Sequence, residues 1–216
     1  MLQSLTSSLD YCKPKHGQLK NIEVTMADSA SISSNVQIRQ LPLTWIRKML
    51  TTIVCFDQDK DGNVGREDHM HNADEFVRAG NLMGEARDDI YKFYQDYCDS
   101  GASRDLPNSS SMSNQLMTAW KYKDNPEVIE KWKNSSKTFF QVLCKDVPGF
   151  MTFDNYMLFW NVWGLDKRFA RMQFDYMDTN NDGLISGEEF VNAYLDYVSN
   201  PDENTPNRFF GPLINY

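Results

Sequence analysis

Missing from this sequence is any run of about 18 apolar residues, so no segment reads as a membrane-spanning helix. The N-terminus also lacks an apolar stretch behind a basic one, and secretion is not expected. Basic residues are in deficit, with 22 Lys and Arg against 30 Asp and Glu and a net charge of −8. Phosphate backbones are gripped by Lys and Arg, so nucleic acid is excluded as a main partner. The same balance suits a protein that neutralises itself with bound cations. The four cysteines, Cys12, Cys55, Cys98 and Cys144, lie far apart with no CxxC pair. They read as reduced thiols of a cytoplasmic protein, not as a disulfide frame. Neither a GxSxG turn nor a phosphate-binding glycine loop occurs, and no enzymatic activity is expected. What the chain does have is aromatic material, 13 Phe, 10 Tyr and 5 Trp, enough for a substantial core in 216 residues.

One stretch is written for an ion. Asp178, Asn180 and Asp182 alternate, Gly183 follows, and Glu189 closes the segment at its twelfth position. A divalent cation with six to eight oxygen ligands needs alternating side-chain oxygens, a sharp turn at position six and a bidentate carboxylate at twelve. Gly183 supplies the turn through a positive φ. Leu184 at seven offers its carbonyl, and Ser186 at nine acts directly or through a water. Ile185 at eight is the apolar residue expected to pair with a neighbouring loop. Every fixed position of the EF-hand calcium loop is matched.

A second loop spans residues 57–68, with Asp57, Asp59 and Asp61 at one, three and five and Gly62 at six. Asn63 would give a carbonyl, Val64 is the apolar bridging residue, and Gly65 at nine leaves its ligand to water. Position twelve is Asp68 instead of Glu. The shorter carboxylate reaches an ion through one oxygen, which favours six-fold coordination and therefore Mg²⁺ over Ca²⁺. His69 and His71 point to different sides of a helix, so a shared metal is not expected there.

Around these loops the apolar residues recur at helical spacing. Trp45, Ile46, Met49, Leu50, Ile53 and Val54 mark a helix entering the first loop, with order beginning at Pro42 and Thr44 as a candidate N-cap. Ile90, Phe93, Tyr94 and Tyr97 form a core face within 85–97. Residues 98–114 stand where a loop should be but carry no ligand alternation, so this reads as a ruined hand between surviving helices. Residues 144–155 keep a glycine at six, Gly149, and an apolar bridge at eight, Met151. With Cys144, Pro148 and Asn155 at one, five and twelve, only Asp146 is left as a charged ligand, and the loop reads as structural. Tyr156, Phe159, Trp160 and Trp163 belong to the most aromatic run, where core packing is the expectation by composition and a cofactor pocket the less favoured reading. Asp166 is a candidate cap for the helix entering the loop at 178.

The expected fold is all-α, with four helix-loop-helix hands in two paired lobes and short β-bridges between loops. Residues 1–40, with seven serines, read as a flexible tail. Residues 41–125 hold the first pair of hands, 126–200 the second, and 201–216 a tail that docks on the lobe through its apolar end.

Four hands, a long spacer after the first loop, a third-loop remnant followed by an aromatic helix, and an Asn200-Pro201…Phe209-Phe210-Gly211-Pro212-Leu213 tail resemble the invertebrate sarcoplasmic calcium-binding proteins and the related calexcitins. The match covers about residues 42–216, and Asp68 at position twelve of the first loop also looks like that family. The resemblance implies a compact cytosolic Ca²⁺/Mg²⁺ buffer or signal protein. Family members keep hands one to three and lose the fourth, whereas this chain keeps one and four. The expected function is ion buffering by a monomer, without an enzymatic step. The alternatives are a sensor that exposes a groove to a protein target, and a carrier of a hydrophobic, luciferin-type molecule.

Overall fold

The first element among the described residues is a 3-10 turn, Ile38–Gln40, and helix α1 (Leu43–Phe56) follows directly on Pro42. A helix can start there because its first residues have no backbone partner for their N–H groups, and proline has none to lose. Thr44 is therefore inside the helix and buried, and no side chain caps this end. Here the structure corrects the sequence-based cap. The computed structural model describes residues 37–99, 112–144 and 147–215. The tail expected over residues 1–40 lies outside these but for its last four, as do most of the ruined loop at 98–114 and Asp146 of the third.

Helix α2 (Arg66–Ala79) leaves the first loop and turns through residues 80–84 into α3 (Glu85–Asp99). Arg66 at the start of α2 pairs with Asp99 at the end of α3, 2.7 Å apart. Next come α4 (Met112–Tyr122) and the 18-residue α5 (Pro126–Leu143). Between them Asn125 caps α5, its side chain accepting from the N–H groups of Glu127 and Val128, with Pro126 in the first turn where its fixed φ suits a helix. Strand β1 (Phe150–Met151) and helix α6 (Phe153–Val162) complete the third hand. A 3-10 turn capped by Asp166 leads into α7 (Ala170–Met177), and strand β2 (Ile185–Ser186) precedes α8 (Gly187–Ser199).

The two strands form an antiparallel bridge in which Met151 faces Ile185 and Phe150 faces Ser186. These are the apolar residues at position eight of the third and fourth loops, so the two hands are tied as the sequence suggests. Met151 and Ile185 are both fully buried. Val64 lies outside the strands assigned among the described residues.

The hands do not have separate interiors. Ala73, Phe76, Ile90 and Tyr94, from α2 and α3, belong to the same cluster as Phe139, Phe159, Trp160, Phe174, Phe190 and Tyr197 from α5 to α8. A polar contact reinforces the junction, with Trp163 Nε1 donating to Asn72 Oδ1 at 3.2 Å, both residues being buried. The aromatic run in α6 is packing material, as composition suggested. Tyr156, Phe159 and Trp160 have no exposed surface.

The buried side of α1 is the second departure from the sequence reading. Val54 is 61% exposed, and the residues most hidden are Thr44, Trp45, Lys48 and Thr51. Trp45, Lys48 and Thr51 have partners some 150 residues away. Trp45 Nε1 donates to the carbonyl of Val198, Lys48 Nζ to that of Asn200, and Tyr197 OH to the carbonyl of Lys48. Thr51 Oγ1 accepts from Ile214 N, and Arg47 Nε donates to Ile214 O. The chain after α8 is not helical, so its backbone groups need outside partners, and a polar face of α1 provides them.

That last segment also reaches inward. Asn207 is fully buried, donating to Ala193 O and to Asp196 Oδ2 and accepting from Gln173. Phe209 and Phe210, 2% and 3% exposed, stack edge-on among Phe159, Trp163, Phe190 and Tyr197. No helix among the described residues is long and apolar enough to cross a membrane.

Candidate metal centres

In the loop between α7 and α8 the oxygens that could hold a cation are gathered by backbone N–H groups. Asp178, 6% exposed, accepts from Asp182 N at 3.1 Å and Gly183 N at 2.9 Å. Asn180 Oδ1 accepts from Asp182 N at 3.0 Å, and Asp182 Oδ1 from Leu184 N at 2.8 Å. Glu189 closes the ring. Its Oε1 takes the N–H and the hydroxyl of Thr179, and its Oε2 takes the N–H and the hydroxyl of Ser186. Desolvation alone would raise the Glu189 pKa, but these four hydrogen bonds outweigh it and hold the group down to about 2. The carboxylate is charged at any physiological pH.

Loop one repeats this pattern position by position. Asp57 accepts from Asp61 N and Gly62 N, Asp59 from Asp61 N, and Asp61 from Asn63 N. Asp68 takes the place of Glu189, with Oδ1 accepting from Gln58 N at 2.8 Å and Oδ2 from Gly65 N at 2.7 Å. A side chain one methylene shorter thus makes the same bonds to positions two and nine. Carboxylate oxygens of Asp57, Asp59 and Asp61 lie within 4.8 Å of one another. The hydrogen bond from Asp61 N lowers the Asp59 pKa, yet desolvation and the charges of Asp61, Asp68 and Asp57 together raise it above its ordinary value. A bound cation would relieve that repulsion. Asn63 turns its side-chain oxygen outward, accepting from Gln115 Nε2 of α4 at 3.2 Å.

Two backbone positions in each loop are left-handed. Gly183 at φ +83° and Gly62 at +88° stand at position six, where a side chain would be strained. Position four is left-handed as well, with Asn181 at 57° and Lys60 at 62°. The sequence reading missed this pair. Asparagine's tolerance of that region marks Asn181, whereas Lys60 carries no such signal. Also unread were the Thr179 hydroxyl on Glu189 and the tie from Gln115 to loop one, since neither belongs to the twelve-position pattern.

The third loop keeps the frame without the donors. Gly149 has φ +85°, and Asn155 at position twelve closes a capping box with Thr152, accepting from Thr152 N and Oγ1. Cys144 at position one is buried. Neutral Asn155 replaces the carboxylate that the other two loops place there. His69 is buried and His71 exposed, so the structure does not bring them together. Burial lowers the His69 pKa to about 4, against the opposing charge of Asp68.

Helices flanking twelve-residue loops with oxygen donors at alternating positions define the EF-hand class, and the EF-hand family model matches residues 171–193. Among curated proteins the chain is 30% identical over 174 residues to the sarcoplasmic calcium-binding protein of Hediste diversicolor, a match spanning 79% of this chain and 98% of that one. It is also 30% identical over 175 residues to the sarcoplasmic calcium-binding protein of Perinereis vancaurica tetradentata, with the same coverage of 79% and 98%. The chain belongs to the sarcoplasmic calcium-binding protein family. Among solved structures, the coelenterazine-binding protein of Renilla muelleri in its calcium-loaded apo form superposes with a TM-score of 0.65 at 22% identity, over 78% of this chain and 96% of that one. Calcium-loaded apo-aequorin from Aequorea victoria gives 0.60 at 12% identity, over 79% and 99%. At such identities these two establish the shared all-α fold and nothing further.

Proposed function

We propose that this protein is a calcium buffer that takes one ion in each of two loops. In loop four the ligands are Asp178, Asn180, Asp182, the Leu184 carbonyl, Ser186 and Glu189. In loop one they are Asp57, Asp59, Asp61, the Asn63 carbonyl and Asp68, with water at position nine. The observation that supports the reading is the shared backbone hydrogen-bond frame of the two loops, together with the carboxylate oxygens of Asp57, Asp59 and Asp61 gathered within 4.8 Å in loop one. All donors are hard oxygens, the set that suits Ca²⁺ and Mg²⁺. Asp68, shorter than glutamate and held by backbone N–H groups on both oxygens, favours Mg²⁺ in loop one at rest.

Buffering is preferred to sensing because the apolar interior is already covered. A sensor hand opens a groove on loading, and a buffer hand barely opens. Phe209 and Phe210 pack among the core aromatics of the last two hands, and α1 and the last residues hold each other through the bonds described above. The protein works as a cytoplasmic monomer, with divalent cations as its partners and no chemical step. Calorimetric titration with calcium, with and without millimolar magnesium, tests this. Two sites are expected, one of them weakened by magnesium, and adsorption to a hydrophobic resin should not change with calcium. Calcium-dependent adsorption would replace the buffer with a sensor.

A further inference from the structure

Loops three and four hold one another at position eight, through Met151 and Ile185. Val64 has that position in loop one and lies outside the strands assigned among the described residues. A helix steadies this loop from the side. Gln115 of α4 is 6% exposed, and its Nε2 donates to Asn63 Oδ1 at 3.2 Å and, more weakly, to Gly62 O at 3.5 Å. The Gly62 carbonyl can only accept, so it fixes which end of the Gln115 amide faces the loop, and the Asn63 group met there is the side-chain oxygen. Helix α4 is itself anchored on the helix that enters the loop. Leu116, next to Gln115, is buried with Trp45 and Leu41, and Trp120 meets Trp45 edge to face at 4.9 Å.

These contacts fall on positions six and seven, and position seven is where such a loop offers a backbone carbonyl to its ion. Asn63 is tied twice, its N–H donating to Asp61 Oδ1 at 2.7 Å and its side chain accepting from Gln115. With the Gly62 carbonyl also met by Gln115, the Asn63 Cα is set in place, and the ligand carbonyl departs from that atom. Ordering done by the fold is ordering that the ion does not have to impose, and fixing one residue's backbone amounts to about tenfold in affinity. The two ions use that order differently. Magnesium demands a near-ideal octahedron, whereas calcium accepts six to eight oxygens in a flexible shell. We propose that Gln115 is a positioning residue for loop one, presetting the position-seven carbonyl through Asn63 and so tilting the loop toward Mg²⁺. The inference rests on the assignment of an ion to loop one and adds to it a specificity determinant outside the twelve-residue pattern.

The test is titration calorimetry of the full chain with calcium and, separately, with magnesium, repeated on Glu189→Gln, in which loop four is weakened and loop one answers alone. Gln115→Met keeps the length and apolar stem of the side chain and removes its amide. It should weaken magnesium in loop one about tenfold and calcium about threefold or less, the loss falling hardest on the ion with the stricter geometry. Asn63→Ala leaves the backbone carbonyl in place and should shift the two ions in the same direction. The double variant should bind within about a factor of two of Gln115→Met, since the two residues act through one bond. Neither substitution should move calcium binding in an intact loop four, which also establishes that the variants are folded. An unchanged ratio of magnesium to calcium affinity would overturn the inference, because a residue that only props up the fold weakens both ions alike. Losses that add in the double variant would overturn it as well. A wild type with no ion in loop one would remove the assignment beneath the inference, whereas two wild-type sites with an inert Gln115→Met would overturn the inference alone.

Discussion

Phe210 carries a quantitative test of how the C-terminal segment holds the fold. Its ring is 3% exposed and contacts Trp163 at 5.3 Å, Tyr197 at 5.4 Å, Phe56 at 5.8 Å and Phe209 at 5.1 Å. Truncation to alanine removes the transfer energy of a buried ring and leaves a void. Because Phe210 already lines a partly open cavity of about 270 Å³ among the helices, the new space joins an existing one. The cost should fall in the upper part of the range for buried phenylalanines, about 4 kcal/mol. Urea unfolding of the calcium-loaded protein at constant free calcium measures it, with the midpoint falling and the slope unchanged. Met172, 48% exposed, serves as control, and Met172→Ala should change stability by no more than about 0.5 kcal/mol. The same Phe210 variant should adsorb to a hydrophobic resin that the wild type ignores. A loss below about 1 kcal/mol would show that the segment rests on the surface and would refute its role as a cover.

Lys48 makes the stability depend on pH in a particular direction. Burial lowers its pKa to about 8, against the charge of Asp196, so from pH 8 to its ordinary 10.5 the unfolded chain binds more protons than the folded one. Stability of the wild type relative to Lys48→Met should therefore rise through that window, by on the order of 2 kcal/mol, and a flat difference would contradict the burial of a charge. Gly183→Ala places a β-carbon on a residue at φ +83°, and should lower stability by about 1–2 kcal/mol and weaken the tighter calcium site, as read by paired melts and titrations. Asp68→Glu should shift loop one from magnesium toward calcium, seen as a second calcium site that millimolar magnesium no longer suppresses. Thr152→Ala removes the hydroxyl of the third loop's capping box and should destabilise by about 1 kcal/mol without altering calcium stoichiometry.

What could be read in advance follows from how local each determinant is. The conformations of the loops at 57–68 and 178–189 were legible because oxygen donors and glycines a few residues apart bond to one another's backbone. The pairing of Met151 with Ile185 was legible for a related reason, since position eight in each loop is apolar in a polar stretch. The inner face of α1 was not. Thr44, Lys48 and Thr51 are polar, and nothing nearby in sequence says that the backbone of residues 198–214 will come to meet them. The left-handed Lys60 was hidden because the loop forces the conformation on a residue with no preference for it. The cavity was invisible for the same reason as the shared core. Residues from seven helices, the first ion loop and the last segment line it, and periodicity reports only which face of one helix is apolar, not whether opposing faces meet without a gap.

The most direct check on the central claim is a calcium titration of the wild type beside Glu189→Gln and Asp68→Asn. Two sites should be found in the wild type, and each variant should lose or greatly weaken a different one, because the residue closing each oxygen ring has lost its charge. Four equivalent sites, or two sites that survive both substitutions, would contradict the assignment of the ions to these loops.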